Sequence, residues 1–199
     1  MQTSDEREEA VTNADAKAED EKGEDLEEEK PEGSNEDKGE GGKVVGGMSE
    51  EEMRERVITL AFGGDARRFE EFCEVVRESI PPDTCVVLRG SSVTGVRYDD
   101  GAPFDADGPG TSDLDLTLVG VEVLGHYILD GFYIPGIHTK PLSDKDPDIA
   151  PELVPLRDKL VAMVKRPVNI QATRDFVMQL RGDWMGQPYL TLIGKVGGE

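Results

Sequence analysis

Two aspartates one residue apart, Asp113 and Asp115, sit between leucines in the run Ser112-Asp113-Leu114-Asp115-Leu116. On a β-strand, alternate side chains share a face, so both carboxylates point the same way, about 7 Å apart. Like charges held that close cost energy unless a cation lies between them. A hard divalent ion with oxygen ligands meets that need, and Mg²⁺ characteristically takes one or two carboxylates plus phosphate oxygens. Upstream, the apolar run Cys85 to Leu88 ends in Arg89-Gly90-Ser91-Ser92. A glycine after a strand lets backbone approach a phosphate closely, and serine adds a hydroxyl donor. This assigns Asp113 and Asp115 as metal ligands and Gly90 and Ser91 as a phosphate cradle, with Ser92 a weaker addition. Taken singly, an Asp-x-Asp pair reads as solvated surface and a Gly-Ser step as a plain turn. Both features together, each attached to an apolar strand pattern, argue for a site.

Apolar-x-Gly-Ser followed by apolar-flanked Asp-x-Asp resembles the signature of the nucleotidyltransferase superfamily with the DNA polymerase beta-type fold, including its small bacterial-type domains. The resemblance covers roughly residues 84–119, and the order of elements to about residue 195 is compatible with it. It implies Mg²⁺-dependent transfer of a nucleoside monophosphate from a nucleoside triphosphate to an acceptor: a protein, a small molecule or an RNA end. It further implies that the Gly-Ser turn holds the triphosphate and that Asp113 and Asp115, as catalytic residues, hold the metal. Such displacement needs in-line positioning and neutralisation of charge on the phosphoryl oxygens.

The sequence departs from the family pattern in two places. Twenty-one residues separate Ser91 from Asp113, roughly twice the family's usual spacer. The excess, Tyr98 to Gly110, reads as a loop beside the site whose acids (Asp99, Asp100, Asp105 and Asp107) are expected to be solvated. The family's third carboxylate falls on a later strand, and the matching strand here, Val168 to Ala172, carries Asn169 and Gln171. Amides can ligate a metal but accept no proton at neutral pH. Glu122 and Asp175 are candidate substitutes. The alternative function is therefore a catalytically degenerate member that binds nucleotide or a partner through the same cleft. Arg89, Arg97, Lys140 and Arg181 are candidate phosphate cations. Trp184, near a turn, is expected to pack on the core rather than stack on a base. His126 and His138 stand in unlike contexts and do not suggest a joint metal site.

The elements that must position these groups follow from pattern. Ser49 and three glutamates predict a helix start, with the helix over about 50–62. Asp65 caps a second helix to about Ser79, with Phe69, Phe72, Cys73 and Val76 at helical spacing. Strands are expected at 85–88, 114–119, 168–172 and 189–193, with a short one within 131–137. Helices are expected over 151–165 and 174–181. The fold class is α/β (α+β), a small mixed sheet flanked by helices around one core.

Residues 1–47 hold 17 acidic and 6 basic residues and almost nothing apolar before Val44. Such a segment cannot offset its ordering entropy, so residues 1–47 are expected to be a disordered acidic tail that serves as a leader, and residues 48–199 the folded domain. A net charge of -21 excludes duplex DNA binding through the overall field and disfavours anionic membranes. No apolar run nears the ~18 residues of a bilayer span, and no signal-peptide pattern opens the chain, so a cytoplasmic protein is expected. Cys73 and Cys85 have no metal spacing and read as buried thiols.

Overall fold

The computed structural model describes residues 44–45 and 47–197, and the acidic tail expected over 1–47 lies almost wholly outside them. At its margin, β1 (Val44–Val45) pairs antiparallel with β2 (Met48–Ser49). Chain order continues with α1 (Glu50–Phe62), α2 (Ala66–Glu78), β3 (Cys85–Arg89), α3 (Ser91–Thr94) and β4 (Leu114–Val119). After two 3₁₀ turns come β5 (Phe132–Ile134), β6 (His138–Thr139), α4 (Val154–Val164), β7 (Val168–Thr173), α5 (Asp175–Gln179) and β8 (Leu190–Ile193). The six-stranded sheet has the order β5-β6-β7-β4-β3-β8. It is mixed: β4 runs parallel to β7 and antiparallel to β3. Mixed α/β architecture is thus established. The short strand expected within 131–137 is β5, with a second short strand, β6, pairing just beyond it, and the last helix gives way at Leu180–Trp184 to a π-helical turn.

Local chemistry sets the helix boundaries. Ser49 and Glu52 form a reciprocal capping box on α1, and Gly63 ends the helix in the left-handed region at φ 66°. The Asp65 side chain accepts from the Arg68 amide and starts α2. The even-numbered residues of the central strands, Leu88, Leu114, Leu116, Leu118 and Ile170 among them, join Phe62, Phe69, Phe72 and Leu160 from the helices in one core. Phe62 meets Phe69 and Phe72 edge-on, at 5.3 and 5.4 Å between ring centroids. With that face committed to the helices, the odd-numbered residues must lie on the other face. There Cys85, Val87 and Val119 pack with Met178 and Tyr189, and the polar residues occupy the other end. Both cysteines are buried.

The segment before Asp113 is not a solvated excursion. Asp105, expected to be solvated, receives both Arg166 Nη groups at 2.9 and 3.1 Å. It also accepts from the amides of Ser112 and Gly110 at 2.9 and 3.0 Å. Arg166 lies over the Phe104 ring and donates to the Ser112 carbonyl at 3.0 Å. Four donors on one carboxylate, with the guanidinium only 8% exposed, dock the loop onto the turn that leads into β7. The other acids differ: Asp107 and Asp100 pair with Arg97 at the surface, and Asp99 is exposed.

Burial alone would raise the Asp105 carboxyl, but the hydrogen bonds from Arg166, Gly110 and Ser112 outweigh it and bring it down to about 2 from an ordinary 3.8. The folded state therefore binds this proton more weakly than the unfolded chain. Its stabilisation is complete above about pH 4 and disappears as pH falls toward 2. Arg166→Met should cost about 3 kcal/mol or more at neutral pH, since it strands a partly buried carboxylate. Asp105→Asn should flatten the acid limb of the stability profile. Urea denaturation from pH 2 to 7 measures both, and a wild-type-like profile for Asp105→Asn would refute the assignment.

Candidate functional site

Strand register builds the site. Arg89, the last residue of β3, lies opposite Asp115 of β4, and Asp115 lies opposite Asn169 of β7. One step along the strands, Val87, Thr117 and Gln171 form the next row on the same face. Asp113 precedes β4 by one residue and so shares the face of Asp115. The Asn169 Nδ2 donates to Asp113 Oδ2 at 2.5 Å and to Asp115 Oδ1 at 3.1 Å. One amide group thus bridges the two carboxylates.

Arg89 turns along the face away from the carboxylates. Its Nε donates to Thr117 Oγ1 at 2.9 Å and its Nη2 to Gln171 Oε1 at 2.6 Å. Gln171 in turn donates through Nε2 to the Thr139 carbonyl at 2.9 Å. That last bond defines which way the Gln171 amide points, because a carbonyl can only accept. His138 is ordered by the same logic: Arg181 Nη2, a donor only, faces its Nε2 at 3.4 Å, so Nδ1 carries the hydrogen toward Thr173 Oγ1 at 3.1 Å. Burial and the charges of Arg181 and Arg89 push His138 down to about 4, which keeps the ring neutral at neutral pH.

Burial also raises the Asp115 carboxyl. The Asp113 charge adds to that, against the pull of Asn169 and Arg89. Burial and the neighbouring Arg181 lower Arg89, while Asp115 attracts its charge. The two carboxylates are thus partly shielded from water, and they lean on one neutral amide for most of their local compensation.

Gly90 makes this geometry possible. Its backbone, at φ 75° and ψ -159°, lies in a region open essentially to glycine alone. A Cβ built there would meet Asp115 Oδ2 at 2.6 Å. The turn therefore lies directly on the carboxylate, with no room for a side chain. Ser91, half-buried, opens the single turn α3. Ser92 is wholly buried, and its hydroxyl donates to the Arg89 carbonyl at 3.3 Å, which ties the turn to the end of β3.

Beside the turn is a cavity of about 360 Å³, bordered by Arg89, Gly90, Tyr98, Arg181, Gln187 and Pro188 among others. Of the candidate cations, Arg89 and Arg181 thus face one space, whereas Arg97 is bound to Asp107 and Asp100. Trp184 does not pack on the core as expected: it is 85% exposed at the end of the π-helical turn. Neither candidate substitute for a third carboxylate reaches the pair. Asp175 follows the far end of β7, six residues past Asn169, about 20 Å along an extended strand. Glu122 follows the same end of β4. His126 pairs with Glu152, apart from His138. Among the described residues no cluster of three or more His, Cys, Asp or Glu side chains suits a metal ion, so Asp113 and Asp115 stand as a pair.

Set beside known proteins, the chain matches no family model, no curated protein and no solved structure. Its chemistry must be argued from its own side chains. Arg181 and Gln187 could be placed at the cavity only with tertiary structure, whereas the odd-numbered polar residues of β7 already mark its face.

Gly90→Ala should cost on the order of 1–3 kcal/mol from backbone strain and should displace the Asp115 carboxylate. Urea denaturation reads the first effect, and a carboxyl NMR titration of Asp115 reads the second. A variant with wild-type midpoint and titration would rule out the close approach.

Proposed function

We propose that this chain is a Mg²⁺-dependent nucleotidyltransferase, which moves a nucleoside monophosphate from a nucleoside triphosphate to an acceptor. The observation that carries this reading is the row Arg89–Asp115–Asn169, with Gly90 folded onto it. It places a glycine turn, two carboxylates and a cavity bearing two guanidiniums side by side.

The donor set fits the ion. Asn169 Nδ2 lies within hydrogen-bond distance of both carboxylates, so Asp113 and Asp115 are the residues that would hold a small cation. Rotation of the amide about its last bond would present Oδ1 instead of Nδ2 and add a third oxygen ligand. Mg²⁺ held there would neutralise charge on the phosphoryl oxygens. In the reaction an acceptor oxygen bonds to the α-phosphorus, the bond to the bridging α–β oxygen breaks, and pyrophosphate leaves with that electron pair. Gly90 and Ser91 border the phosphates. Arg89 and Arg181 supply fixed positive charge on the side of the leaving group. Asn169 and Gln171 accept no proton, and Asp113 and Asp115 are committed to the ion, so the acceptor's proton passes to water.

A second reading is favoured by Asn169 itself. A neutral amide where a base would serve turnover suits a protein that holds a Mg²⁺–nucleotide, or a partner through the same cleft, without transfer. Among the described residues no helix is long and apolar enough to cross a membrane.

Calorimetric titration of ATP, GTP, CTP and UTP, with and without Mg²⁺, should show metal-dependent binding that Asp113→Asn abolishes. Asn169→Asp should tighten Mg²⁺ binding and raise pyrophosphate release at least tenfold if the chain is a transferase. Binding with no pyrophosphate from either protein over a broad acceptor set would leave the binding reading in place. No metal-dependent binding of any triphosphate would refute both.

A further inference from the structure

The net charge of -21 makes an acid-free cavity in this protein unusual. Three other clefts, of about 270, 330 and 380 Å³, each carry two carboxylates: Glu70 and Glu74, Glu52 and Glu55, and Asp144 and Asp158. The cavity beside Gly90 carries none, and two arginines line it. Neither arginine has a carboxylate within ion-pair distance among the described residues. Ion pairs engage Arg97, Arg157 and Arg166 instead.

Arg89 is held by two neutral acceptors, Thr117 and Gln171, and Arg181 by the neutral ring of His138. Guanidiniums that face one space and donate only to neutral groups repel each other, and burial adds to the cost; the Asp115 charge offsets part of it for Arg89 alone. Burial and the Arg181 charge lower Arg89, and burial lowers Arg181. An anion between them relieves both costs, and a phosphate offers oxygens suited to the guanidinium fork. The remaining polar group at the rim, Gln187, is neutral, and the exposed Tyr98 ring adds an apolar surface.

We infer that this cavity is a metal-independent binding site for a diphosphate group, held by Arg89 and Arg181 as a pair. The inference goes beyond the transfer reading, because it requires neither Mg²⁺ nor turnover at Asp113 and Asp115. The same site takes a diphosphate whether it arrives free as pyrophosphate or as part of a nucleotide.

The test is calorimetry on the full chain at pH 7.5 with EDTA present, using pyrophosphate, ATP and adenosine. Pyrophosphate and ATP should bind saturably at one site, and adenosine should not bind. Arg181→Met should weaken pyrophosphate at least tenfold, and Arg181→Lys should weaken it less, since it keeps the charge but loses the fork. Asp113→Asn should abolish the gain from Mg²⁺ yet retain metal-free pyrophosphate binding, so failure of the transfer reading and failure of this one give different results. A second measurement needs no variant: on wild-type protein, the Arg89 and Arg181 Nε–Hε NMR resonances should shift with added pyrophosphate, while that of Arg157 should not. Absence of saturable pyrophosphate binding, unshifted Arg89 and Arg181 resonances, or full affinity in Arg181→Met would overturn the inference.

Discussion

Two carboxylates that share one face of a strand, and are partly withdrawn from water, would repel each other without a donor between them. The Asn169 amide is that donor, and much else serves to bring it there. It must come from β7, parallel to β4, with Asn169 in register with Asp115. That register is defended on the opposite face. A slip of one residue would turn Leu114, Leu116 and Leu118 away from the helices and carry the aspartates into the core. The apolar packing of Phe62, Phe69, Phe72 and Leu160 is therefore also what keeps the carboxylates where a ligand can reach them.

The same economy applies at the other boundary of β4. Ser112 and Asp113 enter the strand from a loop, and loops do not by themselves hold side chains to a fraction of an ångström. Here Asp105 and Arg166 close the loop against the turn before β7, and the Leu114 amide donates to the Pro167 carbonyl at 2.9 Å. The approach to β4 and the approach to β7 are thus joined just before the strands begin to pair. Asp113 and Asn169 start from a common anchor, which accounts for their contact across two strands.

How much of this was legible in the sequence depends on the range of each interaction. The caps of α1 and α2, the apolar stripe of α2, and the alternation in β4 depend on residues a few positions apart, and their elements stand where the pattern places them. Gly90 announced a special backbone by its type and its place after an apolar run. Its contact with Asp115, twenty-five residues on, was not legible. The loop from Tyr98 to Gly110 looked like solvated acid because its partner, Arg166, is distant in the chain and lies in an unremarkable Lys-Arg-Pro step. Trp184 misled for a related reason: burial is the usual fate of tryptophan, but this one falls on a turn whose buried position is Gly182, packed against Tyr189.

The distribution of charge also bears on kinetics. From outside, the molecule presents a strongly negative field to any anion, while its acid-free cavity attracts the same anion at contact. The two effects differ in range. Repulsion from many dispersed carboxylates acts over more than a Debye length, about 8 Å at physiological salt, and is readily screened. Attraction to two partly buried guanidiniums acts at a few ångströms and is screened much less. Added salt should then quicken the arrival of an anionic ligand, the reverse of ordinary electrostatic steering, while its departure stays governed by the cavity. For such a protein, dilute buffer is the condition in which the cavity is slowest to fill.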